Sequence, residues 1–344
     1  MSMMNMKYYG IPNLNEHPGC IGARVTAVHR EQFEIATEHG FSAAKMKRGL
    51  QLDADAMPTV GDRISVEYNP CGESMAVEVL PRTTLFARQD SWHGTRQLIA
   101  ANFDYVLIAT SLNADFSLRR LERYLALARE SGAQPVFLLT KRDLVDADTA
   151  DSIESRVQLL APDCPVICLS VRTGEGLDAL KELMKPDTSS VLLGSSGVGK
   201  SSLVNALMGE DAMATGEIRE DDDKGRHTTV HRQMLLLPWG ALLIDTPGMR
   251  ELAMWDAAQG VEDVFSEITE AAQRCRFRDC THTHEPGCAV LAGIEDGSLD
   301  VGRVANYLKL RDESDMSAVL ARKFKKSKEI SKANHARKKL ERRR

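Results

Sequence analysis

The sequence predicts a multidomain protein with an N-terminal antiparallel β-barrel, a central α/β domain and a mainly helical C-terminal part. Short stretches of alternating apolar and polar residues fill positions 20–80, and apolar runs then alternate with helical patterns to about residue 255. Cysteines and histidines cluster shortly after that. A chain of 344 residues is long enough for two or three domains. The expected boundaries are 1–94, 95–255 and 256–344.

The barrel is predicted from the stretches RVTAVHR, EQFEIAT, DRISVEY and MAVEVL, which turn signals such as EHG and PTVGD separate. About five short strands at this spacing favour an oligonucleotide/oligosaccharide-binding (OB) fold, with an SH3-like barrel as the alternative. Such barrels bind nucleic acid in many proteins and are only structural in others. Both roles stay open for this one.

The central domain alternates strands with helices. NFDYVLIAT, AQPVFLLT, CPVICLS and SSVLLG read as buried strands, and LRRLERYLALARE carries apolar residues at helical spacing. This alternation predicts a mostly parallel sheet that is covered on both faces. HRQMLLLP and ALLIDTP predict a hairpin that joins the same sheet.

The composition indicates a soluble, cytoplasmic protein without a membrane partner. Hydrophobic residues make up 43% of the chain. No apolar run reaches the roughly 18 residues of a membrane span, and the first residues, MSMMNMKYYG, lack the apolar stretch of a signal peptide. Seven cysteines in such a protein are expected to be thiols or metal ligands rather than disulfides.

Charge is distributed unevenly along the chain. Residues 322–344 hold twelve Lys and Arg against two Glu, so this tail carries +10 and the rest of the chain −15. A basic tail on an acidic body predicts a polyanionic partner such as nucleic acid. A solubilising helix end is the alternative.

A phosphate-binding motif follows the strand SSVLLG. Its residues fit G-x-x-x-x-G-K-[ST], between a strand and a helix that is expected to begin near Lys200. Backbone amides of the loop would converge on phosphate oxygens, Lys200 would neutralise charge on the β- and γ-phosphates, and Ser201 would bind Mg²⁺. The predicted loop comprises Gly194, Ser195, Ser196, Gly197, Val198, Gly199, Lys200, Ser201 and Ser202.

Three other motifs complete a guanine-nucleotide site. DTPG places Asp245 to hold Mg²⁺ through water and the Gly248 amide to sense the γ-phosphate. In TKRD, Asp143 can accept hydrogen bonds from guanine N1–H and its amino group, which adenine cannot donate in this pattern. SVRTG would offer backbone amides to the guanine oxygen. The predicted base-binding residues are Thr140, Lys141, Asp143, Ser170, Val171 and Arg172.

The base-reading motifs precede the phosphate-reading motifs, which reverses the usual order in GTPases. The chain is therefore predicted to be circularly permuted, a change that proteins tolerate because termini and loop tips lie at the surface. With the predicted barrel and the Cys/His segment, these motifs resemble those of RsgA or YjeQ, the circularly permuted bacterial GTPases of ribosome assembly. The resemblance covers nearly the whole chain and implies binding to the small ribosomal subunit and its RNA.

The resemblance also identifies GRHTT as the first switch motif, in which Thr228 or Thr229 would complete the Mg²⁺ shell. Met249 stands where many GTPases place a water-orienting Gln, so intrinsic hydrolysis is expected to be slow. His227 is the candidate for positioning the attacking water, with a solvated loop residue as the alternative. Thr140 replaces the usual Asn, and its shorter side chain is expected to lose a contact to the base or the phosphate loop.

The segment CRFRDCTHTHEPGC predicts a structural Zn²⁺ site. Cys275, Cys280, His282 and Cys288 form C-x₄-C-x-H-x₅-C, a set of four soft ligands that suits tetrahedral zinc. His284 is the rival fourth ligand, and the resemblance favours His282.

The sequence thus predicts a monomeric GTPase that binds the small subunit late in assembly, hydrolyses GTP to GDP and phosphate, and so releases itself. The alternative is a GTP-gated RNA-binding module with negligible turnover. An ATP-dependent phosphotransferase is disfavoured by TKRD.

Overall fold

The structure is a computed structural model that describes residues 3–14, 19–29, 32–47, 57–89, 96–113, 116–209, 233–245 and 257–315. The strands are β1 (Ile21–Val28), β2 (Phe33–Thr37), β3 (Gly40–Met46), β4 (Arg63–Glu67), β5 (Ser74–Val79), β6 (Leu85–Gln89), β7 (Arg96–Ala101), β8 (Tyr105–Ser111), β9 (Gln134–Thr140), β10 (Val166–Cys168), β11 (Ser189–Gly194), β12 (Gln233–Leu236) and β13 (Leu242–Asp245). The helices are α1 (Leu118–Glu130), α2 (Ala147–Leu160), α3 (Leu177–Leu183), α4 (Lys200–Met208), α5 (Ala258–Val264), α6 (Ser266–Ala272) and α7 (Ala289–Glu295), with residues 301–315 also helical.

The N-terminal strands form the predicted barrel. They pair in the order β1-β2-β3-β5-β4, and β4 returns to pair with β1, which closes the barrel. All these pairings are antiparallel except the parallel pairing of β3 with β5. This five-stranded order with a returning strand is OB-like, and alternate residues such as Val25, Ile35 and Ile64 fill its core.

The central sheet has the order β10-β9-β8-β11-β13-β12. Its first five strands run parallel, and β12 joins β13 as an antiparallel hairpin, so both predictions for this sheet are confirmed. Leu107 and Leu138 pack in one cluster with Leu180 of α3 and Leu203 of α4. Intervening strand residues such as Ile108 are equally buried, and α1 packs on β8 and β9. The sheet is therefore apolar on both faces.

Two features of this part of the chain are absent from the sequence prediction. Ala27 of β1 pairs with Gln233 of β12, so the barrel and the central sheet form one eleven-stranded sheet. In addition, β6 and β7 form a separate two-stranded sheet. The β1–β12 pairing covers backbone groups that would otherwise lie at a sheet edge.

The chain folds into two compact units. One comprises Met1–Phe86 and Leu98–Glu251, and the other comprises Ala87–Gln97 and Leu252–Arg344. In the second unit Phe265 is fully buried, and its ring lies 5.6 Å from that of Tyr307. The boundaries after residues 94 and 255 stay predictions. Among the described residues, no helix is long and apolar enough to span a membrane.

Candidate nucleotide and metal sites

Four of the parallel strands end at the same edge of the sheet, and a predicted nucleotide-binding motif follows each of them. Cys168 at the end of β10 pairs with Leu139 of β9, and Gly194 at the end of β11 pairs with Ala109 of β8. β13 runs parallel to β11 and ends at Asp245, so the four strands that precede the motifs are β9, β10, β11 and β13. Ligands bind outside the carboxyl ends of the strands in open α/β sheets, so the fold assembles the predicted motifs where a ligand is expected.

The phosphate loop connects β11 directly to α4. Gly194 has φ +155°, and a Cβ there would lie 2.6 Å from the carbonyl oxygen of Ala109, so a larger residue would displace β8. Val198 is buried and anchors the middle of the loop. Helix α4 begins at Lys200 as predicted, with Gly199 as its N-cap. The first amides of a helix have no intrahelical acceptor, and they form an anion-binding site together with the helix dipole.

Lys200 lies against the phosphate loop. Its Nζ donates hydrogen bonds to the carbonyl oxygens of Gly194 and Ser195, both at 2.6 Å. Ser201 and Ser202 follow in the first turn of α4, and both are exposed. The ammonium group and the serine hydroxyls therefore lie at the N-terminus of the same helix, beside its first amides.

Thr140 contacts the phosphate loop, so a loss of the loop contact is not what its shorter side chain causes, and the loss of a contact to the base stays a prediction. Its Oγ1 donates to the carbonyl oxygen of Val198 at 2.7 Å and lies 3.3 Å from that of Thr110. Thr140 is the last residue of β9 and pairs with Ser111, which brings even a short side chain within reach of the loop. A hydroxyl has one proton to donate, and the shorter contact is to Val198. Thr140 thus braces the phosphate loop.

Asp143 is oriented by a serine from the neighbouring loop. Ser170 Oγ donates to Asp143 Oδ1 at 2.6 Å, and this hydrogen bond is the main reason that the pKa of Asp143 is lowered. Arg172 Nη1 is 3.9 Å from Asp143 Oδ2, but the arginine side chain is 82% exposed, so this ion pair contributes little. The carboxylate is thereby held ionised, as an acceptor.

The two base-reading loops are also joined through the backbone. The amide of Arg142 donates to the carbonyl oxygen of Leu169 at 3.1 Å. The Ser170 amide donates to the carbonyl oxygen of Glu175 at 3.0 Å, so it is used within its own loop. Sequence reasoning predicted an amide role for Ser170 and missed its hydroxyl.

Several predicted residues cannot be placed. His227, Thr228, Thr229 and Gly248 lie outside the described residues. Asp245 ends β13, and its backbone position is the only part of it described.

The four predicted metal ligands come together. The ligand atoms of Cys275, Cys280, His282 and Cys288 all lie within 4.8 Å of one another. Cys275 Sγ is 3.8 Å from Cys288 Sγ, and His282 Nδ1 is 3.6 Å and 3.5 Å from these two sulfurs. A tetrahedral ion with bonds of about 2.3 Å to sulfur and about 2.0 Å to nitrogen requires sulfur–sulfur and sulfur–nitrogen separations of about 3.8 Å and about 3.5 Å. The group could hold such an ion.

The local backbone supports this cluster. His282 is buried with φ +62°, a left-handed conformation that directs it toward the cysteines within a short turn. Cys288 caps α7, where its Sγ accepts from the Leu291 amide at 3.4 Å. Burial opposes ionisation of Cys275, but hydrogen bonds from the Ala289 and Val290 amides lower its pKa.

The rival ligand His284 points elsewhere. It is exposed, and its Nδ1 lies 2.8 Å from Thr283 Oγ1. His282 is therefore the histidine that the fold brings to the cysteines.

Comparisons with known proteins agree with this architecture. The family model described as RsgA GTPase matches residues 79–255. A Listeria monocytogenes protein named small ribosomal subunit biogenesis GTPase RsgA 2 is 45% identical over 316 residues, which cover 90% of this chain and 89% of that protein.

Two solved structures share the fold. The crystal structure of YjeQ from Thermotoga maritima has a TM-score of 0.64 and 27% identity, and the match covers 86% of this chain and 98% of that one. The structure of YloQ, a circularly permuted GTPase, has a TM-score of 0.60 and 24% identity over 87% of this chain and 96% of that one, and shows the fold alone. The predicted permuted GTPase fold is confirmed, and the chain belongs to the RsgA GTPase family.

Proposed function

We propose that this protein hydrolyses GTP to GDP and phosphate while bound to the small ribosomal subunit late in its assembly, and that hydrolysis releases it. The observation that carries the proposal is the joint placement of the phosphate loop and the Ser170–Asp143 pair at one edge of the sheet. The names of the curated relatives supply the small subunit as the partner.

Phosphate binding is assigned to the N-terminus of α4 and to Lys200. The amides of the loop bind phosphate oxygens, and the ammonium group neutralises charge that develops on the phosphates during the reaction. Ser201 and Asp245, with Thr228 or Thr229, would hold Mg²⁺, which adds positive charge at the same oxygens when bound.

Base recognition is assigned to Asp143. Its carboxylate accepts from guanine N1–H and from the amino group, and Ser170 keeps it in the orientation this requires. The stem of Lys141 lies along the base. Adenine has a lone pair at N1, which would face the carboxylate and leave the charge unpaired, so ATP is excluded.

Water activation is assigned to His227 on sequence grounds. Met249 cannot orient water, and an imidazole can accept a proton or hold a water in place. A His227→Ala variant is expected to bind GTP like the parent and to lose small-subunit-stimulated hydrolysis by about 100-fold. Nucleotide titration and steady-state phosphate release measure both properties. Full stimulated turnover in this variant would remove His227 from the mechanism.

The Cys/His cluster is assigned to one structural Zn²⁺. Three thiolates and one imidazole without an open ligand position favour zinc in a closed tetrahedral site.

We further assign a barrel at 1–94, a GTPase domain at 95–255 and a zinc-binding domain at 256–344. The basic tail, residues 322–344, contacts ribosomal RNA phosphates, and the protein acts in the cytoplasm as a monomer.

Steady-state GTP hydrolysis tests the proposal. The purified protein is assayed alone, with small ribosomal subunits, with large subunits, and with naked ribosomal RNA. Stimulation by small subunits alone is the expected result. Tight GTP binding without stimulation would instead support the GTP-gated RNA-binding module.

A further inference from the structure

A buried arginine connects the barrel to the nucleotide-binding sheet. Arg24 of β1 is 2% exposed, and its guanidinium donates to the carbonyl oxygens of Asn102 at 2.6 Å and Tyr9 at 3.3 Å. Burial lowers the pKa of Arg24 to about 10. A charge this deeply buried needs such acceptors to offset its lost hydration. Arg24 therefore holds Asn102 firmly to the barrel.

Asn102 in turn contacts β11, the strand that ends in the phosphate loop. Ser189 is the first residue of β11, and its Oγ lies 3.1 Å from the Asn102 carbonyl oxygen and 3.1 Å from Asp104 Oδ2, so its single hydroxyl proton is shared between the two acceptors. Asp104 Oδ2 accepts from the Ser189 amide at 2.7 Å, which fixes the start of the strand. We call Arg24, Asn102, Asp104 and Ser189 the Arg24 node.

Backbone contacts also join the barrel to the central sheet on either side of the Arg24 node. We call this junction, with the Arg24 node, the seam. Ala27 of β1 pairs with Gln233, which begins β12. Gly61 has φ +87°, and a Cβ there would lie 2.0 Å from the carbonyl oxygen of Ala101. The Gly61 amide also donates to the carbonyl oxygen of Val25 in β1 at 2.9 Å, so backbone lies against backbone from β1 to Ala101.

We propose that this seam is the route by which a partner bound to the barrel changes the rate of GTP hydrolysis. A displacement of β1 reaches the phosphate loop through the Arg24 node and β11. The Ala27–Gln233 pairing carries it to β12, which follows the predicted switch threonines in the chain. The partner supplies the energy by binding one arrangement of the barrel better than the other. The inference rests on the proposed function, because it requires a partner-stimulated rate.

Four variants of the full-length protein test the seam. Arg24→Met removes the hydrogen bonds to the Asn102 and Tyr9 carbonyl oxygens, and Arg24→Lys keeps the positive charge but offers fewer donors in a different geometry. Ser189→Ala removes the hydroxyl that lies 3.1 Å from both the Asn102 carbonyl oxygen and Asp104 Oδ2. Thr26→Val is the matched control, because the Thr26 hydroxyl on the same strand is buried without a hydrogen-bond partner among the described residues.

Each variant is measured for GTP affinity, unstimulated hydrolysis, co-sedimentation with small subunits and stimulated hydrolysis. Arg24→Met is expected to lower the stimulated rate about tenfold, while the other three quantities stay within about twofold of the parent. Arg24→Lys and Ser189→Ala are expected to lower the stimulated rate by smaller factors. Thr26→Val is expected to match the parent throughout.

Full stimulation of both Arg24→Met and Ser189→Ala would overturn the inference. Loss of subunit binding, or an equal loss of unstimulated hydrolysis, would also overturn it. The node would then only maintain the structure of the subunit-binding surface or of the nucleotide site, and would not couple the two. If Arg24→Met does not fold, the Ser189→Ala result decides. A parent that small subunits do not stimulate refutes the proposed function and the inference together, whereas a stimulated parent with unaffected variants refutes the inference alone.

Discussion

The nucleotide site and the metal cluster are both signalled by short motifs, but they are assembled in opposite ways. The nucleotide site takes its residues from four loops that are distant in sequence and that parallel strands bring to one edge. The metal cluster takes all its ligands from residues 275–288, where short turns bring them together. The first site is therefore a product of the whole fold, and the second is a product of one short segment.

The largest expected effect is a loss of GTP hydrolysis that leaves the metal cluster unchanged. Lys200→Ala removes the ammonium group that lies on the phosphate loop, and no other described side chain there carries that charge. GTP hydrolysis is expected to fall at least about 100-fold, both alone and with small subunits. The metal content of the variant, measured by atomic spectroscopy, should equal that of the parent. Retained hydrolysis would show that Lys200 does not act on the phosphates.

Loss of a metal ligand should have the opposite result: the metal cluster is lost and GTP binding is retained. His282→Ala removes one of the four predicted ligands, and His284→Ala is the matched control because His284 lies outside the cluster. The His282 variant is expected to lose its metal and part of its helicity by circular dichroism, since a site without its ion rarely keeps its fold. It should still bind GTP. Unchanged metal content in the His282 variant, or loss in the His284 variant, would reverse the ligand assignment.

A smaller effect tests how the base-reading and phosphate-reading loops cooperate. Thr140→Val removes the hydrogen bond to the carbonyl oxygen of Val198 and keeps the side-chain volume, while Thr140→Ser keeps the hydroxyl. A lost hydrogen bond to a buried carbonyl costs about 1 kcal/mol, so GTP and GDP affinities should fall about fivefold for Val and hardly for Ser. Equal affinities in isothermal titration would assign Thr140 no part in bracing the loop.

The sequence predicted local features well because their causes are local. The barrel strands, the start of α4 at Lys200 and the Cys/His cluster each follow from spacing within a few residues. The order of motifs also revealed the permutation. The parallel sheet followed from the alternation of strands and helices.

Contacts between distant segments were not predictable in the same way. Nothing near Ala27 signals that its strand pairs with Gln233. Thr140 illustrates the limit most clearly, because its length alone predicted a lost contact to the base or the phosphate loop, while its position at the end of β9 places its hydroxyl on the loop. The hydroxyl of Ser170 was missed for the same reason, since its acceptor Asp143 belongs to another loop.

The most direct test of the account is the nucleotide specificity of Asp143→Asn. Asparagine offers an amide donor where the carboxylate accepted, so it opposes the guanine amino group and matches the oxygen that xanthine carries there. Competition binding with GTP, ATP and xanthosine triphosphate is measured for the parent and the variant. The account predicts that the parent selects GTP and that the variant prefers xanthosine triphosphate. A variant that still selects GTP would contradict the assignment of Asp143 and, with it, the guanine site.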